Sequence, residues 1–117
     1  MQPNPQYRVD DPAFVRALVE THPWATLVSH VDGVPVASHT PLLLDDAPGA
    51  NDGDAIAFVT HLGRADARLH GLVGGASTGR GSMLVVVQGD HDYVSPSWYL
   101  GADAGQVPTW NFEAVHA

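Results

Sequence analysis

Phe58-Val59-Thr60-His61-Leu62-Gly63-Arg64-Ala65-Asp66 is the stretch on which the fold turns. Its first residues close an apolar run from Ala55 to Thr60 that reads as a buried strand. The residues after Arg64 open a helical pattern from about Ala65 to Leu72. A chain that otherwise reads as strands is therefore interrupted by a helix, which sets its class as α+β. The break carries a hydroxyl, an imidazole, a glycine and an arginine within five positions. Gly63 lets a backbone approach a ligand closely. Backbone N–H groups at a helix start, with an arginine fork beside them, suit an anionic phosphate. An ordinary strand-to-helix connection with a solvated Arg64 accounts for the same nine residues and is the commoner case. Both readings stand on this stretch alone.

Towards the N-terminus the pattern is regular. Residues 1–9 form an extended arm with prolines at 3 and 5. Asp10 or Asp11 caps a helix whose first position suits Pro12 and whose apolar face is Phe14, Val15, Leu18 and Val19; Pro23 ends it. Trp24 to His30 has strand composition, and Asp32-Gly33 is a two-residue hairpin signal. The return strand runs from about Val34 to Leu44, where Pro35 and Pro41 imply an edge, a bulge or an irregular end. Residues 45–54 are an acidic loop.

Towards the C-terminus, residues 74–81 are a glycine-rich linker. It precedes a strand and not a helix, so it does not fit a phosphate-cradling fingerprint. Ser82 to Gln88 is a buried strand. From Gly89 the chain turns and extends, with a further strand around His91 to Val94. Residues 101–106 are a loop, and Thr109 to His116 alternates as a last strand. The expected architecture is a small, mostly antiparallel split β-barrel with a leading helix and one inserted helix, forming a single domain over residues 1–117.

Composition narrows the function classes. The chain has 117 residues, no cysteine and a formal net charge of −8 from five arginine or lysine side chains against 13 acidic ones. All five cations are arginine, which excludes a Schiff-base lysine and a P-loop nucleotide site. The negative balance argues against an electrostatic grip on nucleic acid. The N-terminal residues carry no apolar core of a signal peptide, and the longest run of bulky apolar residues, Met83 to Val87, is too short to span a bilayer. A cytoplasmic location is the expectation. Seven histidines invite a metal reading. Yet no helical histidine pair is present, and Asp90-His91-Asp92 fits backbone capping in a turn better than coordination. A serine hydrolase lacks its nucleophile elbow. No residue stands out as a catalytic acid or base.

Aromatic residues gather late in the chain: Tyr93, Trp98, Tyr99, Trp110 and Phe112. Mixed with serine, threonine and asparagine, they suit either packing or a flat polar heterocycle. Their bulk exceeds what a barrel of this length readily buries, which predicts a homodimer.

Five blocks then carry a resemblance. They are Pro23 to Val28, Ala37 to Leu44, His61 to Asp66, Gln88 to Tyr99 and Val107 to Phe112, the last two being the most specific. Over most of residues 7–116 the chain resembles the FMN-binding negative transcriptional regulators, the PaiB-like group of the FMN-binding split-barrel fold. The resemblance implies a six-stranded split barrel that dimerises and holds FMN at the dimer interface. It implies cofactor contacts from Ser38, His39, Thr40 and Pro41 on the strand after the first hairpin, and from Trp110 and Asn111 near the end. It also implies a phosphate site at Thr60, His61 and Arg64. Ala65 stands where related oxidases have a lysine, and a protonated His61 would compensate. Family members are usually longer, so their C-terminal part is absent here. No DNA-reading helical module is visible. The resemblance therefore implies a flavin-dependent regulator or sensor. The alternatives are an FMN-dependent oxidoreductase of the pyridoxamine phosphate oxidase or flavin reductase kind, and a haem-binding barrel.

Overall fold

The Asp32–Gly33 turn sets the register of the whole sheet. Both residues have positive φ, 50° and 83°, the pairing that a two-residue turn needs to match the twist of its strands. The structure, a computed structural model, describes residues 4–47, 50, 55–73, 81–99 and 107–117. Helix α1 spans Pro12–Thr21, with Asp11 as its cap: the Asp11 carboxylate accepts from the Ala13 N–H. Strands β1, Trp24–Val31, and β2, Val34–Leu44, form the hairpin. Strand β3 is Phe58–Thr60, helix α2 is Arg64–Leu69, β4 is Leu84–Val94 and β5 is Thr109–His116.

All strand pairs are antiparallel, in the order β3-β2-β1-β4-β5. The α+β expectation holds. Among the described residues there are five strands where the resemblance implied six, and the sheet is not closed: β3 and β5 lie at opposite edges. The result is a split-barrel-like open sheet.

Three boundaries differ from the sequence reading, each for a physical reason. The expected strand Ala55–Thr60 is paired only over Phe58–Thr60, although Asp45 N–H still reaches the Ala57 carbonyl. Helix α2 stops at Leu69, not Leu72, because Gly71 turns left-handed at φ 69°. The two strands expected over Ser82–Gln88 and His91–Val94 are one continuous strand, broken only by a register shift between Gln88 and His91. There Gly89 and Asp90 lie opposite Glu113 alone, which is a β-bulge. A side chain at Gly89 would place its Cβ 2.7 Å from Leu18 Cδ1 and 3.1 Å from Glu113 Cβ, so the bulge residue must be small.

Pro35 and Pro41 find their explanation in the ladder. β2 pairs with β3 only over Leu42–Leu44, so from Val34 to Pro41 its far side is a free edge, and a missing N–H costs no ladder bond there. The glycine-rich linker over 74–80 and the loop over 101–106 lie outside the described residues, as do positions 48, 49 and 51–54 of the acidic loop.

Alternation sorts the sheet into two faces. Ala25, Leu27, Leu42 and Val87 point to one face and are buried with Leu18 and Val19 of α1. Burying a side chain of this size contributes about 1.5–3 kcal/mol. α2 also lies on this inner face, reaching Ser38 and Ser29 through its side chains. On the outer face Trp24 and Leu43 are each 63% exposed, and Val59 and Leu84 are exposed as well. The radius of gyration is 18.1 Å, against about 13 Å for a compact chain of this length. Among the described residues, no helix is long and apolar enough to cross a membrane.

Candidate functional site

The expected site residues fall into two groups, separated by the width of the sheet. The first surrounds the β3–α2 connection. Thr40, buried on the inner face of β2, donates its hydroxyl to the His61 carbonyl at 2.7 Å. Thr60 donates to the Pro41 carbonyl at 2.6 Å, and the two threonine oxygens lie 2.9 Å apart. Two hydroxyl protons thus clamp the turn from β3 into α2 against β2. Ser38, also buried, donates to Asp66 Oδ1 at 3.3 Å and ties the first turn of α2 to the same strand. Gly63 has an ordinary φ of −56°, so left-handed freedom is not what it supplies. A Cβ there would sit 3.3 Å from Asp66 Oδ2 and crowd the carboxylate that Ser38 holds.

These bonds leave Thr60, His61 and Arg64 exposed together at one corner of the sheet. Among the described residues no ion pair engages the Arg64 guanidinium. An arginine fork next to an imidazole is a donor set for a phosphate. Ser38 and Thr40 face inward and hold this corner from behind. His39 and Pro41 face outward on the same strand, and His39 Nδ1 lies 3.0 Å from Thr26 Oγ1. At the other end of α2, buried His70 meets Ser29 Oγ through Nδ1 at 2.7 Å, while its buried Nε2 has no partner among the described residues. α2 is therefore fastened to β2 at its start and to β1 at its end.

The second group lies on the β4–β5 ribbon. The bulge changes which β4 residues face outward: Leu84, Val86 and Gln88 before it, His91 and Tyr93 after it. Strict alternation would have put Asp90 and Asp92 on that face. Instead the outer face continues as His91 opposite Phe112 and Tyr93 opposite Trp110. Trp110 packs against Tyr93 with ring centroids 6.0 Å apart, and Trp98 meets Tyr93 edge-on at 6.3 Å. Asn111 follows Trp110 on the opposite face of β5, paired with Asp92.

β3 and β5 are four strand spacings apart, and Trp110 lies several residues further along the strand direction than Thr60. Strand spacing and rise put the two groups about 25 Å apart for a flat sheet. One chain brings Thr60, His61 and Arg64 together and carries Trp110 and Asn111 on the opposite edge strand. A cleft of about 740 Å³ between the N-terminal arm and β5 includes Tyr7, Phe14 and Phe112 but none of the expected site residues.

The comparison with known families decides the cofactor. A family model described as "Putative FMN-binding domain" matches residues 1–117. The chain belongs to this FMN-binding domain family. It is also 31% identical, over 111 residues, to "Protease synthase and sporulation protein PAI 2" of Bacillus subtilis (strain 168). That match covers 94% of this chain and 47% of the relative, so the chain spans about half the length of the curated relative it matches. FMN is the cofactor, and the residues present fit it. The Thr60–His61–Arg64 corner offers the Arg64 cation to a phosphate, and the outer face offers apolar and aromatic surface to a flat ring system.

Sequence reasoning missed the residues that hold these groups in place. Thr26 was within reach, because the two-residue turn fixes its pairing with His39. Asp66 is defined by a partner 28 residues away, and His91, expected in a turn with Asp90 and Asp92, lies within β4 with its partner 19 residues away.

Proposed function

We propose that the chain is the flavin-holding unit of a PaiB-like regulator or sensor, and that it works as a pair of identical copies. One copy supplies the phosphate corner of each FMN site, with His61 and Arg64 as donors and Thr60 holding the turn, and the other copy supplies Trp110, with Asn111 behind it on the opposite face of β5. The supporting observation is the strand order, which puts the two groups on strands at opposite edges of one sheet. A two-fold arrangement over the outer sheet faces brings unlike ends together and covers the exposed Trp24, Leu43 and Trp110. His39 and Pro41 face the ring system, while Ser38 and Thr40 keep the corner rigid. The net charge of −8 favours a signal read through flavin or a protein partner over direct contact with nucleic acid. As a cytoplasmic protein it would meet FMN in its free pool.

The phosphate assignment is tested by titrating FMN and riboflavin into wild type and Arg64→Ala, following flavin fluorescence. Losing one partner of a charge-assisted bond costs about 1.5–3 kcal/mol, so Arg64→Ala should weaken FMN about ten- to a hundredfold. Riboflavin, lacking the phosphate, should bind both proteins equally. Equal loss for both flavins, or none for FMN, would remove Arg64 from the phosphate site.

A further inference from the structure

The indole N–H of Trp110 donates to Nδ1 of His91 at 3.2 Å, with ring centroids 5.8 Å apart. An indole nitrogen can only donate, so Nδ1 of His91 must be the unprotonated nitrogen. The proton of the neutral imidazole is thereby fixed on Nε2. His91 is solvent-exposed and stands on the outer face, opposite Phe112 and in line with Tyr93. The β4 bulge places it there, since strict alternation would have turned it to the helix-covered side. A pre-set N–H donor thus stands in a group of exposed aromatic rings, whose other donors are the Tyr93 hydroxyl and the Trp98 indole N–H.

We infer that His91 is a positioning and tuning residue of the flavin site, its Nε2–H directed at an acceptor on the rim of the flavin ring system. The inference rests on the reading that the ring lies beside Trp110. An edge donor interacts directly with the charge that a flavin gains on reduction. Reduction of a flavin at neutral pH concentrates negative charge on its pyrimidine rim, and a donor aimed there binds the reduced form more tightly. Trp110 has two tasks on this account: its face stacks, and its N–H prevents the imidazole from presenting a lone pair to an acceptor.

The test compares FMN bound to wild type, His91→Phe, His91→Gln and Trp110→Phe at one fixed pH. The readouts are the affinities for oxidised and reduced FMN and the reduction potential of the bound flavin. His91→Phe keeps the ring surface and removes the donor. It should weaken reduced FMN about tenfold relative to oxidised FMN, a hydrogen bond to a charged acceptor. For a two-electron couple the same change is a potential about 30 mV more negative. His91→Gln, which carries an N–H near the Nε2 position, should restore most of the difference. Trp110→Phe should shift the potential in the direction of His91→Phe, by less. An unchanged reduced-to-oxidised ratio in His91→Phe, or glutamine behaving as phenylalanine does, overturns the assignment. If FMN binds and Arg64→Ala weakens it selectively while the ratio stays fixed, this inference alone fails. If the wild type holds no FMN, the reading of the site fails and the inference with it.

Discussion

Thr40 holds the proposed phosphate corner from behind. It is 3% exposed, and its hydroxyl is occupied by the His61 carbonyl and by Thr60. Thr40→Val keeps the shape and deletes the donor, leaving the His61 carbonyl without that partner. Leaving a buried polar group unsatisfied costs about 1–3 kcal/mol, which urea unfolding of the apoprotein should register. The released turn carries His61 and Arg64, so FMN should also weaken while riboflavin changes less. Equal losses for the two flavins would place Thr40 at the ring and not behind the phosphate. At this scale the sequence was informative where spacing is local. The Asp32–Gly33 turn pairs Val31 with Val34, and counting back along both strands gives Thr26 opposite His39 and Trp24 opposite Pro41. It was silent on Ser38 with Asp66, 28 residues apart, and on Trp110 with His91, because hydroxyl, carboxylate, indole and imidazole have many possible partners.

Among the elements, β4 shows where periodicity runs out. Leu84 to Val87 reads as strand, and Gly89 reads as a stop, yet the strand continues to Val94. The glycine serves a close approach to α1, and nothing local to β4 specifies where Leu18 lies. Gly89→Ala should therefore act as overpacking, destabilising the fold by about 1–3 kcal/mol in urea or thermal melts. Leu18→Ala alone should also destabilise, by about 2–5 kcal/mol, through loss of a core side chain. Combined, the two should cost clearly less than their sum, since the alanine at 18 makes room for the new methyl group. Strict additivity would mean that the bulge is held by Glu113 or by backbone geometry and not by contact with α1. Helix α1 and the first hairpin were legible because their signals are self-contained: a capping aspartate, a proline at the first helical position, and a turn that requires positive φ. The end of α2 was less so, since one glycine outweighs the apolar pattern that continues to Leu72.

The whole molecule is an open sheet with helices on one face and apolar side chains exposed on the other. Sequence composition indicated that the aromatic residues exceed what one copy buries, but the strand order that separates Arg64 from Trp110 cannot be read from composition. The proposed two-copy site is argued from that order, and complementation between two damaged copies tests it most directly. Arg64→Ala and Trp110→Ala should each bind FMN weakly on their own. After mixing under conditions that exchange subunits, a mixed pair holds one site with both residues altered and one with both intact. About a quarter of all sites should then recover wild-type FMN affinity, since random exchange makes about half the pairs mixed. Flavin fluorescence titration of the mixture should resolve this tight fraction, and light scattering should show pairs throughout. If the mixture binds FMN no better than the average of the two variants while pairs do exchange, both residues act within one copy or only one of them acts. Either result would contradict the two-copy site.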